Sequence, residues 1–119
     1  MQSVVETFSD ITNGIKHEVM HDKGIKYAIY STTMNISDEE IDRLIKAFND
    51  TNGEPLKIVC EMGKEKLVTF EGTVFFVYDS HCSVHIIGEN NNQYVLPFSI
   101  IETVLSNSGE IMYQKGMHK

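Results

Sequence analysis

The sequence has no tryptophan, two prolines, two cysteines and a single arginine. Two cysteines in a chain of 119 residues are too few for a disulfide scaffold, so we expect Cys60 and Cys82 to be reduced thiols. Basic residues are also scarce: ten lysines and arginines stand against seventeen acidic residues, and the formal net charge is −7. Because a negative surface repels a phosphate backbone, we expect no direct binding of nucleic acid.

Long hydrophobic runs are absent as well. No uncharged apolar stretch approaches the ~20 residues of a membrane-spanning helix, and residues 1–6 lack the basic start and apolar run of a secretory signal. We therefore expect a cytoplasmic chain that has no contact with a membrane. The composition that is present, 41% hydrophobic and 23% charged residues, is typical of one compact globular domain.

The N-terminal region, residues 1–36, is predicted to contain a helix and an extended segment. Apolar residues recur every three or four positions over Val4–Val19, which predicts an amphipathic helix. The turn signal Asn13-Gly14 interrupts this pattern, so one bent helix and a helix followed by a turn remain alternatives. The segment Ile25–Thr33 is rich in β-branched and aromatic residues and is predicted to be a strand or an extended linker.

A second helix is predicted to begin at Ser37. The hydroxyl of Ser37 can accept a hydrogen bond from the first turn, and Glu40 follows at the position where a capping box reaches back. The next apolar residues fall at helical spacing and predict one buried face, namely Ile41, Leu44, Ile45 and Phe48. The dipeptide Asn52-Gly53 is predicted to end the helix.

After Pro55 the pattern changes to short apolar runs that are separated by turn residues, which predicts a β region. We expect five strands, at Leu56–Met62, Leu67–Tyr78, Ser83–Ile87, Gln93–Leu96 and Ile101–Leu105. Gly72 lies inside the longest run, where it would allow the strand to bend. A small closed sheet would leave no exposed edges, so we expect these strands to form a barrel. Residues 106–119 are predicted to form a tail or an edge strand.

The motif Leu96-Pro97-Phe98-Ser99-Ile100-Ile101 runs from a strand into a Pro-Phe turn and then a pair of apolar residues. With Gly72, which corresponds to the glycine that opens the middle strand in that family, and Asp79 in the next turn, it resembles the YolD-like family of Gram-positive bacteria and their phages over residues 37–105. The resemblance implies an α+β fold in which an N-terminal helical region precedes a five-stranded SH3-like or Sm-like small β-barrel. From the motif itself we expect Phe98 and Ile101 in the core and Glu102 on the outer face.

The resemblance also implies a function. YolD-like proteins are often encoded beside Y-family translesion polymerases, which implies a binding or regulatory protein of the DNA-damage response. We therefore expect a non-enzymatic protein-binding module whose partner is a DNA polymerase or another basic protein, since the chain is acidic. Two alternatives are an inhibitor of a host enzyme or defence system, encoded by a phage or mobile element, and a self-associating Sm-like ring that binds a small ligand or RNA.

The sequence offers few residues for catalysis or metal binding. His81, Cys82 and His85 cluster at a turn and carry ligands that suit zinc, but strand alternation sends Cys82 to the face opposite the two histidines. No oriented nucleophile pair and no phosphate-binding glycine loop are present, so we expect neither a catalytic residue nor a cofactor.

Aromatic and polar residues around the predicted turns are the candidates for partner binding, namely Phe75, Tyr78, Asp79, His81, Asn91 and Tyr94. Phe75 and Phe76 are adjacent and should therefore point to opposite faces of a regular strand. Because the helix Ser37–Phe48 needs an apolar surface to pack on, we expect it to bury one of these two rings.

Overall fold

The computed structural model describes residues 13–19, 25–31, 36–63 and 66–116. In these residues the chain forms one α-helix and eight strands, in the order β1 (Asn13–Val19), β2 (Ile25–Ser31), α1 (Asp38–Asn49), β3 (Leu56–Glu61), β4 (Leu67–Tyr78), β5 (Ser83–Ile87), β6 (Gln93–Pro97), β7 (Ile101–Ser106) and β8 (Ile111–Gln114). Short 3₁₀ turns separate β4 from β5, β5 from β6 and β6 from β7.

The strands form one mixed sheet in the order β1-β2-β6-β5-β4-β3-β7-β8. Only β2 and β6 run parallel, and β1 and β8 are the two edges, which do not pair with each other in the described part of the chain. The predicted five-stranded closed barrel behind an N-terminal helical region is therefore wrong. The edges that a barrel would close are occupied instead by added strands, because β2 pairs with β6 and β8 pairs with β7.

The predicted first helix is also wrong over the residues that the structure describes. Asn13–Val19 is a strand that pairs antiparallel with β2, from Asn13 opposite Ser31 to Val19 opposite Ile25. Pairing with the outer edge of β2 satisfies the backbone of this segment, and Gly14 lowers its preference for a helix. Residues 4–12 of the predicted helix lie outside the described residues. The predicted strand in Ile25–Thr33 is confirmed as β2.

The positions of the five predicted β-region strands are confirmed individually as β3 to β7. Each observed boundary lies within one residue of its prediction, since β6 continues to Pro97, β7 continues to Ser106 and β3 ends at Glu61. The C-terminal edge strand is present as β8. Local turn signals therefore located these strands correctly, although the predicted total of five strands and the predicted closure of the sheet were wrong.

Helix α1 begins where the sequence indicated. The side chain of Ser37 accepts a hydrogen bond from the backbone N–H of Glu40 at 3.2 Å, which caps the first turn. The helix buries Leu44, Ala47 and Phe48, and the ring of Phe48 lies 5.9 Å from that of Phe98. Within the described residues no helix is long and apolar enough to cross a membrane.

The core lies between α1 and the inner face of the sheet. Its largest fully buried side chains are Tyr113, Phe48, Phe98, Leu44, Leu56, Ile58, Met62, Ile86, Leu96, Ile101, Val84 and Val104. The predicted burial of Phe98 and Ile101 is confirmed. Glu102 is half-buried, and its carboxylate lies 3.7 Å from the ammonium of Lys115.

Gly72 lies where β4 changes partners. Residues up to Gly72 pair with β3, and residues from Thr73 onward pair with β5. A Cβ atom at position 72 would lie 2.6 Å from the carbonyl oxygen of Ile87 and 2.9 Å from its carbonyl carbon. Glycine is therefore required at this position because the β5 backbone approaches it closely.

We expect Gly72→Ala to lower the free energy of unfolding by about 1–3 kcal/mol, because the added methyl group overpacks against backbone atoms that cannot rotate away. Chemical denaturation measures the change. Thr73→Ala, at the next position of the same strand, is the control and is expected to cost less than about 1 kcal/mol. Equal midpoints for the two variants would show that the backbone contact imposes no constraint.

Candidate partner-binding surface

A β-bulge in β4 turns two adjacent phenylalanines to the same side of the sheet. Val74 pairs with Ile86 and Phe76 pairs with His85, which leaves Phe75 as the extra residue. Val74 and Val77 both pack against the core, while Phe75 is 61% and Phe76 is 54% exposed. A bulge places two residues opposite one and redirects the side chains. The expectation that these rings point to opposite faces, with one under α1, is therefore wrong.

The two phenylalanines belong to a continuous group of rings on the outer face of β4 and β5. We call this group the aromatic patch, and it consists of Phe75, Phe76, Tyr78, His81 and His85. The ring centroids are 4.9 Å apart for Phe75 and His85 and 4.8 Å apart for Phe76 and Tyr78. Tyr78 connects the two pairs, because its ring lies 6.4 Å from that of His85. It also contacts the last member of the patch, since its ring lies 6.3 Å from that of His81.

His85 forms the floor of the aromatic patch. It is only 6% exposed although it lies on the outer face, because neighbouring rings cover it. Its Nε2 lies 2.7 Å from Oε1 of Gln93, and its Nδ1 lies 3.5 Å from the hydroxyl of Tyr78. Burial lowers the pKa of His85, and the positive charge of Lys26 lowers it further, while the hydrogen bond to Gln93 opposes both effects.

Because this pKa lies below the ordinary 6.5, His85 is mostly in its neutral form at pH 7. A neutral imidazole has one N–H donor and one acceptor. The amide oxygen of Gln93 accepts from Nε2, which leaves Nδ1 to accept from Tyr78. The hydrogen bonds thus fix the ring of His85 beneath the aromatic patch and join β4, β5 and β6 on that face.

The turn after β4 places polar groups beside the patch. Asp79, Ser80 and His81 form one 3₁₀ turn and are exposed. Cys82 ends the turn in the left-handed conformation, with φ 49° and ψ 54°. The backbone N–H of Cys82 donates to the carbonyl oxygen of Asp79 at 3.2 Å, and the thiol lies 3.7 Å from the same oxygen.

The structure does not assemble His81, Cys82 and His85 around a common point. The thiol of Cys82 faces the Asp79 carbonyl, and both nitrogens of His85 have protein partners. In residues 13–19, 25–31, 36–63 and 66–116 no group of three or more His, Cys, Asp or Glu side chains could hold a metal ion. Both cysteines are free, as expected, and burial raises the pKa of the Cys60 thiol, which keeps it protonated.

Two of the predicted partner-binding residues lie away from the patch. Tyr94 is on the inner side of the sheet, where its ring lies 5.2 Å from both Tyr27 and Phe70. Burial is the main cause that raises the pKa of Tyr94. Asn91 is exposed in the turn at the opposite end of β5, with φ 61°.

Four predicted residues do lie together, namely Phe75, Tyr78, Asp79 and His81. Sequence reasoning missed the contribution of Phe76 and the structural role of His85. The sequence does contain a signal for Phe76, because the run Val74-Phe-Phe-Val77 has two aromatic residues between two core valines. Such spacing breaks the alternation of a regular strand and indicates a bulge.

A cleft of about 360 Å³ lies on another part of the surface, between the turn after α1 and the β7–β8 turn. The residues that line it are Asp50, Thr51, Asn52, Glu54, Pro55, Leu56, Ser106, Asn107, Ser108, Glu110 and Met112. The three carboxylates make the cleft acidic. Its lining residues include neither histidine nor cysteine, so a histidine- or cysteine-based nucleophile pair does not lie there.

No protein-family model, curated protein or solved structure matches this chain.

Proposed function

We propose that this chain is a non-enzymatic protein-binding module and that the aromatic patch is its docking surface. The observation that carries the proposal is the exposure of Phe75 and Phe76, at 61% and 54%, side by side on one face. Aromatic rings contribute large contact areas to protein interfaces and are enriched in their centres. Contiguous exposed apolar groups are characteristic of interaction sites.

The rigidity of the surface also supports binding. The patch is built on two paired strands, and the bulge holds both phenylalanines outward. His85 bonds to Gln93 and Tyr78 from below, which restrains the floor. Because these groups are already ordered, the patch would lose less conformational entropy on binding a partner than a mobile loop would.

The partner that we propose is a basic protein. The net charge of −7 disfavours an acidic partner and accelerates encounter with a basic one. The resemblance to the YolD-like family makes a translesion polymerase the first candidate, and the module would then act as its accessory in the DNA-damage response.

Site-specific photo-crosslinking tests the docking surface. A benzophenone amino acid at position 76 is expected to capture one discrete protein in cells that carry DNA damage. The control is the same amino acid at position 67, since Leu67 is also 61% exposed but lies at the other end of β4. Equal capture at positions 67 and 76 would contradict the proposal.

The captured protein then permits a quantitative test with purified components. Phe75→Ala combined with Phe76→Ala is expected to weaken binding at least tenfold, which corresponds to about 1.4 kcal/mol. Leu67→Ala is expected to change the affinity less than twofold, and circular dichroism should show that all variants remain folded. Unchanged affinity in the double variant would overturn the proposal. Capture of a host defence enzyme in place of a polymerase would retain the docking surface and replace the proposed partner.

A further inference from the structure

We infer that Phe76 and Tyr78, at one end of the aromatic patch, and the adjacent Asp79 bind an arginine or lysine side chain in a basic segment of the protein partner. This inference rests on the proposed docking surface and names the chemistry that the surface recognises. It assigns cation recognition to one end of the patch only.

The ring geometry leaves aromatic surface available to a cation. The planes of Phe76 and Tyr78 are inclined by 58° with their centroids 4.8 Å apart, so the two rings are tilted and do not stack face to face. Phe76 is 54% exposed. The face of an aromatic ring carries negative electrostatic potential and attracts an ammonium or guanidinium group that lies within ~6 Å of the ring centroid.

Asp79 supplies the complementary charge beside these rings. It follows Tyr78 directly, at the end of β4, and its side chain is exposed. In the part of the chain that the structure describes, the Asp79 carboxylate forms no ion pair within 4.0 Å. A cation on the rings of Phe76 and Tyr78 would therefore gain a second attraction from Asp79.

The opposite side of the patch is unsuited to a cation. The positive charge of Lys26 lowers the pKa of His85. Lys26 lies on β2, which is separated from β5 by β6, so its charge lies on the His85 side of the patch. His85 itself is mostly uncharged at pH 7. Glu71, also exposed on β4, lies opposite the basic residue Lys57 on β3. The described charges around the patch therefore favour a cation at the Asp79 end.

Peptide titrations followed by NMR test this inference. The probe is a short glycine-serine peptide with two arginines, and the matched peptide has citrulline, a neutral isostere, at both positions. The arginine peptide is expected to bind three- to tenfold more tightly, because one exposed cation–π contact and one exposed ion pair each raise the affinity by a few-fold. Its largest shifts are expected at Phe76, Tyr78 and Asp79.

Three variants separate the specific contact from general attraction to an acidic protein. Phe76→Leu removes the ring but retains an apolar side chain, and Asp79→Asn removes the nearby charge. In each variant, the ratio of the affinity for the arginine peptide to that for the citrulline peptide is expected to fall two- to fivefold. Glu71→Gln removes the same charge elsewhere on β4 and is expected to retain the preference within twofold.

Equal binding of the two peptides at the patch would overturn cation recognition and leave the docking surface supported. Equal loss in Asp79→Asn and Glu71→Gln would show that long-range charge alone attracts the peptide and would also overturn the inference. Absence of any peptide shift at the patch would overturn it as well. The crosslinking experiment at position 76 reports separately on whether the patch binds a protein at all.

Discussion

Replacing Phe98 by alanine is expected to lower the free energy of unfolding by about 3–5 kcal/mol, the usual cost of deleting a buried aromatic ring. Phe98 is 0% exposed, and its ring packs 5.9 Å from that of Phe48 on α1. Its backbone N–H also donates to the carbonyl oxygen of Cys82 at 2.7 Å, which places the residue at the junction of the β4–β5 and β6–β7 turns. Denaturant unfolding at neutral pH measures the effect.

The control for Phe98→Ala is a large apolar residue that is not buried. Leu67→Ala, at a position that is 61% exposed, is expected to change stability by no more than about 0.5 kcal/mol. Glu102→Ala should cost at most about 1 kcal/mol, because it breaks only a partly exposed ion pair with Lys115. An unchanged midpoint in Phe98→Ala would contradict the packing of the Pro97-Phe98 turn into the core.

Replacing Glu40 by alanine is expected to cost about 3 kcal/mol, because it leaves buried donors without an acceptor. One carboxylate oxygen accepts from the Tyr113 hydroxyl at 2.5 Å and lies 3.4 Å from the guanidinium of Arg43. The other accepts from the backbone N–H of Gly116 at 3.1 Å. Glu40 therefore joins α1 to β8 and to the residues that follow it.

Tyr113→Phe is the matched variant, because it keeps the ring and removes one donor. It is expected to cost about 1–3 kcal/mol, less than Glu40→Ala. Denaturation of both variants at pH 7 tests this order. A larger cost for Tyr113→Phe than for Glu40→Ala would show that Glu40 is not the centre of the network.

The same contact predicts an alkaline effect. Burial raises the pKa of Tyr113 above its ordinary value of 10, and the hydrogen bond and negative charge of Glu40 raise it further. Above pH 10 the unfolded chain loses this proton while the folded chain keeps it, so stability should fall as the pH rises. Unfolding free energies measured from pH 9 to 11 should fall less steeply in Tyr113→Phe, and parallel curves would contradict the assignment.

The sequence located elements well where a local signal determines them. The hydroxyl of Ser37 and the helical spacing of the residues behind it lie within one short segment, and α1 forms there. Turn residues between apolar runs placed β3 to β7 within one residue of their observed ends. Pro97 and Phe98 likewise carried enough information to predict a strand end followed by a core residue.

The sequence failed where pairing with another strand decides the conformation. Asn13–Val19 has a helical pattern of apolar residues, but the free edge of β2 makes it a strand. The number of strands and the open sheet depend on which edges β2 and β8 occupy, and no local pattern specifies this.

By itself, the sequence determined the acidic charge, α1 with its cap, the five central strands and the burial of Phe98. Tertiary structure decided the candidate site. Pairing with β5 produced the bulge that exposes both Phe75 and Phe76 and placed His85 beneath them. Likewise, Glu40 fits a capping box in the sequence, yet its carboxylate bonds to Tyr113 and Gly116 because β8 packs beside the first turn of α1. Residues that lie far apart along the chain meet only after the sheet has assembled. Where the local sequence allows two conformations or two hydrogen-bond partners, the hydrogen bonds across those contacts determine which one forms.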